Sequence, residues 1–250
     1  MKIGVIDEVG GPGDDKCLER LAQAEGQGYA AVWVSVPEGA EPTAGRGFFA
    51  AAQLAERTRS ARVGLRSAPP ASLHPLRLAE DLAVLDILAG GRLDWAPTAA
   101  ASPECLEIVL RAWRGEPFAH QGESYAFPEL SCLPPPAQRP HPGLWLGAGS
   151  DPPAAAAPEQ TGCLVDVIPG ADPIAARPGR AGDGQGLALI CPVSAARPGG
   201  AGGWAAELAD WKQRFDPAWV LVWPEAGSGD EALAARTQRL FAELIGDFSA

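Results

Sequence analysis

Basic residues are scarce in this chain. Lys and Arg number 20 against 31 Asp and Glu, a formal charge of −11 at neutral pH, and no basic cluster is present to offset phosphate repulsion. Nucleic acid is therefore excluded as a partner, and the acidic surplus reads as solubility. No uninterrupted apolar run reaches the ~18 residues of a membrane span. The N-terminal MKIGVIDEVG acquires acids at once, without the apolar core of a signal peptide. The expectation is a cytoplasmic protein with no membrane partner. Cysteine is also sparse: Cys17, Cys105, Cys132, Cys163 and Cys191 are odd in number, widely spaced and free of any CxxC pair, which argues against a disulfide framework and a zinc site. With only three histidines, no metal-ligand set and no nucleophile–base–orienter set emerges from spacing.

What is present is core material. Hydrophobic residues make up 46% and charged ones 20% of 250 residues, enough for one α/β barrel or two small domains. Lys2 to Glu8, Tyr29 to Val36, Ala61 to Arg66, Leu93 to Pro97, Leu144 to Leu146, Cys163 to Ile168, Leu187 to Pro192 and Trp219 to Trp223 read as eight strands. Helical patterns lie between most of them: Asp14 to Gly28, Phe48 to Ser60, Pro75 to Ala89, Ser102 to about Trp113, about Gly203 to Phe215, and Asp230 to about Ile245. The stretch 37–47 reads as a loop and 114–143 as a long irregular excursion. Strands alternating with helices imply parallel βαβ units, and their number is that of a (β/α)₈ TIM barrel. One compact domain over 1–250, with shortened loops, is expected.

The most legible stretch is HPLRLAEDLAVLDILAGGRLD (74–94). Pro75 suits a first helical turn and Gly90-Gly91 a left-handed stop. Leu78, Leu82, Leu85 and Ala89 form one apolar stripe between them. This stretch, with PFAHQGESYAF (117–127) and QRPHPGLWLGAGS (138–150), resembles the bacterial luciferase-like, flavin-dependent monooxygenase family. The resemblance implies a TIM barrel, a flavin mononucleotide (FMN) or deazaflavin cofactor, and hydride or oxygen transfer to a small organic substrate through reduced flavin. It also implies pairing, as a homodimer or a heterodimer with a homologue.

In such barrels the site lies past the C-terminal strand ends. Gly147-Ala148-Gly149-Ser150 offers a close backbone approach and a hydroxyl at a helix start, features suited to phosphate. A tight turn capped by Ser150 is the structural alternative. By resemblance, Gly147 to Ser150 hold the flavin phosphate and Ser67 and Ala68 back the flavin ring. Thr98 is a further candidate contact. Glu8, Asp166, Ser194 and Glu225 are polar strand-end residues. Trp145 and Trp223 are candidates for ring stacking, or for core packing.

Two departures from the family stand out. After the second strand the family often carries Glu-His-His. Here Val32-Trp33-Val34-Ser35-Val36-Pro37-Glu38 has no histidine, leaving Glu38 as a candidate proton acceptor that would require burial. After the fourth strand the family's Gly-x-Gly loop is missing. His74, His120 and His141 match family scaffold. The functional reading is a flavin-dependent oxidoreductase or monooxygenase; the alternative is a non-catalytic flavin binder, or a partner subunit of an active homologue.

Overall fold

A computed structural model of the chain describes residues 1–9, 14–37, 44–67, 73–98, 102–147, 161–167, 186–195, 200–226 and 230–248. The elements in chain order are β1 (Lys2–Glu8), α1 (Asp14–Ala24), β2 (Ala31–Ser35), α2 (Ala44–Arg57), β3 (Arg62–Ser67), α3 (Pro75–Leu88), β4 (Leu93–Pro97) and α4 (Pro103–Ala112). They continue with β5 (Phe118–Gln121), β6 (Ala126–Leu130), β7 (Gly143–Gly147), β8 (Thr161–Asp166), β9 (Leu187–Val193), α5 (Gly200–Phe215), β10 (Trp219–Pro224) and α6 (Glu231–Phe248). All strands except β5 and β6 close into a parallel barrel in the order β1-β10-β9-β8-β7-β4-β3-β2. Barrel strands that follow one another in the chain lie side by side, and β10 closes against β1.

Side-chain alternation divides the apolar residues into two layers. Ile3, Val5, Val32, Val34, Val63 and Leu65 join the large cluster formed with the helices. Ile6, Ala31, Trp33, Ala96, Trp145, Leu164, Ala188, Ile190 and Leu221 form a smaller cluster that fills the barrel interior. Two indoles there lean over glycines of the next strand. Trp33 pairs with Gly64 and Trp145 with Gly162. A Cβ on Gly64 would sit 1.8 Å from the Trp33 ring, and one on Gly162 would sit 2.3 Å from that of Trp145. The interior is thus a packed floor rather than a pore.

The ends of α3 behave as their residues predict. His74 accepts the Leu76 N–H on its ring nitrogen at 3.2 Å, Pro75 opens the first turn, and Gly90 and Gly91 take φ of 62° and 76°. Leu78, Leu82, Leu85 and Ala89 are all buried. Ser102 caps α4 by accepting the Cys105 N–H at 3.1 Å.

Two expectations are corrected. The stretch 114–143 is not irregular throughout, because β5 and β6 form an antiparallel hairpin outside the barrel. Its strands are only 4 and 5 residues long and largely exposed on β6, so no clean apolar alternation announced them. The helix α2 begins at Ala44, inside the stretch expected to be loop.

A buried polar seam ties the last elements to the first. Arg20 of α1 bonds Asp7 of β1, Glu231 at 3.2 Å and Gln238 at 3.1 Å, both on α6. Tyr29 donates to the Gln238 carbonyl at 2.7 Å, and the Trp223 indole to Asp7 at 3.2 Å. At the opposite end of the strands from the mouth, Arg62 grips Asp94 through two contacts of 2.6 and 2.7 Å.

Candidate cofactor site at the barrel mouth

The C-terminal strand ends bring together residues that are far apart in sequence. The Thr98 N–H donates to the Ser67 carbonyl at 3.1 Å, which joins the ends of β3 and β4. β4 pairs with β7 through Asp94–Gly143 and Trp95–Leu144, and carrying that register to the strand ends puts Thr98 level with Gly147. Ser67, Thr98 and Gly147 therefore share one arc of the mouth across three adjacent strands. Ala68, Ala148, Gly149, Ser150 and Glu38 lie outside the described residues.

Alternation assigns different roles along this arc. Asp94, Ala96 and Thr98 fall on one face of β4, and Ala96 belongs to the interior cluster, so Thr98 faces the axis. On β3 the axis-facing row is Arg62, Gly64 and Arg66; Ser67, only 2% exposed, offers the arc its backbone. The Thr98 hydroxyl is buried and has no hydrogen-bond partner among the described residues. A Cβ on Gly147 would meet nothing within 4 Å. An orphaned hydroxyl beside open space is what a polar, backbone-approaching ligand would complete.

The charges at the mouth centre on Arg66. Its guanidinium donates to Asp166 of β8 at 2.8 Å, a bridge that crosses above β4 and β7. Glu8, at the end of β1, has its carboxyl raised above the ordinary value, chiefly by burial and next by Asp7, with Arg66 opposing. Sequence reading picked out Glu8 and Asp166 as strand-end acids and gave Arg66, the last residue of the expected third strand, no role of its own. The available signal was its place two residues after Gly64 on the inward row of β3.

Other candidates are turned elsewhere. Glu225 accepts from the Thr237 hydroxyl at 2.6 Å and from the Ala195 N–H at 2.9 Å, so it ties β9 and β10 to α6. His120 bonds Glu104 at 3.0 Å and stacks on Phe127; His141 stacks on Trp113 and contacts the Pro142 carbonyl at 2.7 Å. With His74 at the start of α3, all three histidines serve the scaffold. Trp145 is an interior residue, whereas Trp223 is partly exposed above the inner cluster. Among the described residues no group of His, Cys, Asp and Glu could hold a metal ion.

A closed barrel of parallel strands alternating with helices defines a (β/α)₈ protein, and the polar arc lies at the C-terminal end of its strands. The luciferase-like monooxygenase profile matches residues 8–96 and 94–161, more than half of the chain, and the chain belongs to that family. It is 28% identical over 176 residues to the oxygenase component of a flavin-dependent trigonelline monooxygenase from Acinetobacter baylyi, covering 62% of this chain and 48% of that protein. The chain thus spans about half the length of this curated relative. Among solved structures, the monooxygenase RslO1 from Streptomyces bottropensis superposes with a TM-score of 0.76 at 21% identity, covering 100% of both chains. The oxygenating constituent of 3,6-diketocamphane monooxygenase from Pseudomonas putida, in complex with FMN, superposes at 0.67 with 15% identity, covering 99% of this chain and 98% of that one.

Proposed function

We propose that the protein is a flavin-dependent oxidoreductase or monooxygenase whose barrel mouth holds FMN or a deazaflavin and acts on a small organic substrate. The observation that carries this reading is the buried Thr98 hydroxyl, without a partner among the described residues, on the same arc as Gly147, where an added Cβ would meet no described atom within 4 Å. The residues present fit the cofactor. Thr98 would donate to a polar ring edge, the Ser67 backbone would back the ring, and Gly147 would let the phosphate-bearing chain pass close to the strand end. Ala68, Ala148, Gly149 and Ser150 remain candidates for the rest of that contact. A reduced flavin supplies hydride or activates oxygen; the chain's own part is to bind, orient and exclude water. Glu38, and Glu8 with its raised carboxyl, are the candidates for holding a proton there.

One observation favours a second reading, a non-catalytic flavin binder or the partner subunit of an active homologue. Every histidine is engaged in the scaffold, so among the described residues the mouth has none. A single domain over 1–250 in the cytoplasm, paired as a homodimer or with a homologue, completes the proposal. Pairing is supported by exposed Val84, Ile87 and Leu88 on α3. Free cysteines at all five positions suit a reducing compartment.

Titration of the purified chain with FMN, and separately with a deazaflavin, tests the cofactor. Saturable quenching of flavin or tryptophan fluorescence below roughly 50 µM is expected, at the affinity scale of ordinary ligand sites. Failure of both flavins to bind at that concentration overturns the proposal. Bound flavin that, once reduced, is reoxidised without turnover of any tested substrate selects the non-catalytic reading.

A further inference from the structure

We infer that the barrel mouth takes a small aromatic carboxylate, and that Arg66 exchanges Asp166 for the carboxylate of that ligand above the tryptophan floor. The inference names a substrate class for the proposed flavin site and rests on that reading for the mouth being the working face.

Arg66 is the sole cation among the described residues at the C-terminal strand ends. Its tie to Asp166 is lopsided. The Arg66 side chain is 23% exposed, whereas that of Asp166 is 62% exposed at the rim. Releasing Asp166 returns an already wet carboxylate to water at little cost. The guanidinium, set among the inner residues, keeps its need for an anion. Among the described residues its contact uses Nη2 alone, to one Asp166 oxygen, which leaves Nη1 and Nε for a second point of contact. A planar guanidinium is suited to a bidentate carboxylate, which binds more strongly than a single-point contact.

Charge and shape narrow the ligand further. Among the described residues Glu8 and Asp166 flank Arg66, so a dianion there would face more repulsion than attraction, whereas a monoanion replaces Asp166 without changing the local balance. Beneath the ion pair lie Trp33, Trp145 and Trp223, the last partly exposed. Trp33 and Trp145 are buried, so the partly exposed Trp223 is the aromatic surface a ligand would meet, and it favours a ring over a flexible chain. Such a ligand spans Arg66 with its carboxylate and rests its ring on the floor.

The test uses benzoate and its neutral isostere benzamide, titrated by calorimetry into the full chain and two variants. Benzoate is expected to bind at least about tenfold tighter than benzamide, the difference attributable to a charge-assisted bidentate pair. Arg66→Gln should erase that preference. Asp166→Asn should tighten benzoate about threefold or more, because the competing carboxylate is gone while the rim residue it alters carries little stability. Equal affinity for the two probes, or weaker benzoate binding to Asp166→Asn, would overturn the inference, and the second arm stands even if Arg66→Gln does not fold. FMN titrated into the same samples separates the two proposals. Benzoate binding without FMN binding sinks only the cofactor, and the converse sinks only the carboxylate.

Discussion

Asp86 of α3 and Gln138 of the segment before β7 are joined twice: the Gln138 main-chain N–H donates to one carboxylate oxygen at 2.8 Å, and its side-chain amide to the other at 2.7 Å. Asp86 is 0% exposed and also receives the Leu93 N–H at 3.3 Å. Replacing it by alanine strands several buried donors together, so Asp86→Ala should destabilise the fold by about 3 kcal/mol. Urea denaturation at neutral pH measures this, and a loss below about 1 kcal/mol would show that water repairs the gap.

That pairing also explains what the sequence made legible. The stretches HPLRLAEDLAVLDILAGGRLD and QRPHPG are more than 40 residues apart, yet Asp86 and Gln138 hold them against each other. Their residues are readable because packing, capping and buried hydrogen bonds all act on the same few positions. The mouth was less readable. Thr98 and Gly147 become neighbours only through the β4–β7 register, and Arg66 meets Asp166 only because the barrel closes. The β5–β6 hairpin escaped because its short, exposed strands bury too little to impose a pattern.

Gly64→Ala and Gly162→Ala should each cost about 2 to 4 kcal/mol, because the new methyl would drive into an indole with no room to retreat. The contrast is Gly147→Ala, whose methyl meets nothing within 4 Å and should leave the thermal midpoint nearly unchanged. If Gly147→Ala unfolds the protein as readily as Gly64→Ala, the strand-end space assigned to a ligand is not there.

Arg20 joins α1 to β1 and α6 through Asp7, Glu231 and Gln238, and only 6% of it is exposed. Arg20→Ala would leave Asp7 in a half-buried setting without its cation, a change expected to cost about 3 to 5 kcal/mol. Hydrogen exchange should then rise first along β1, α1 and α6. Loosening confined to α3 and α4 would contradict the role of this seam.

Glu25 sets a pH signature. Burial works against its charge, but the N–H groups of Ala61, Ser60 and Arg59 and the Ser60 hydroxyl bring its carboxyl down to about 2. A folded-state value below the unfolded one contributes stability that is fully present above about pH 4.5 and is lost as pH falls toward 2. Glu25→Gln should therefore cost about 1 to 2 kcal/mol at pH 7 after allowance for solvent screening. The deficit should shrink through that window and vanish near its lower end. A deficit independent of pH would mean that the amide fails for steric reasons and the charge is irrelevant.

Thr98 separates a binding role from a folding role. Its buried hydroxyl has no partner among the described residues, so Thr98→Val removes an unsatisfied polar atom while keeping the shape of the side chain. The ligand-free protein should be unchanged or up to about 1 kcal/mol more stable, since no hydrogen bond is lost on substitution. FMN affinity should move the other way, weakening about 5- to 10-fold for the loss of one hydrogen bond from Thr98. Denaturation without ligand and fluorescence titration with FMN give the two readings. Opposite signs identify Thr98 as a residue kept for a ligand at the expense of stability. A destabilised variant with unaltered FMN binding would instead place its hydroxyl partner within the protein.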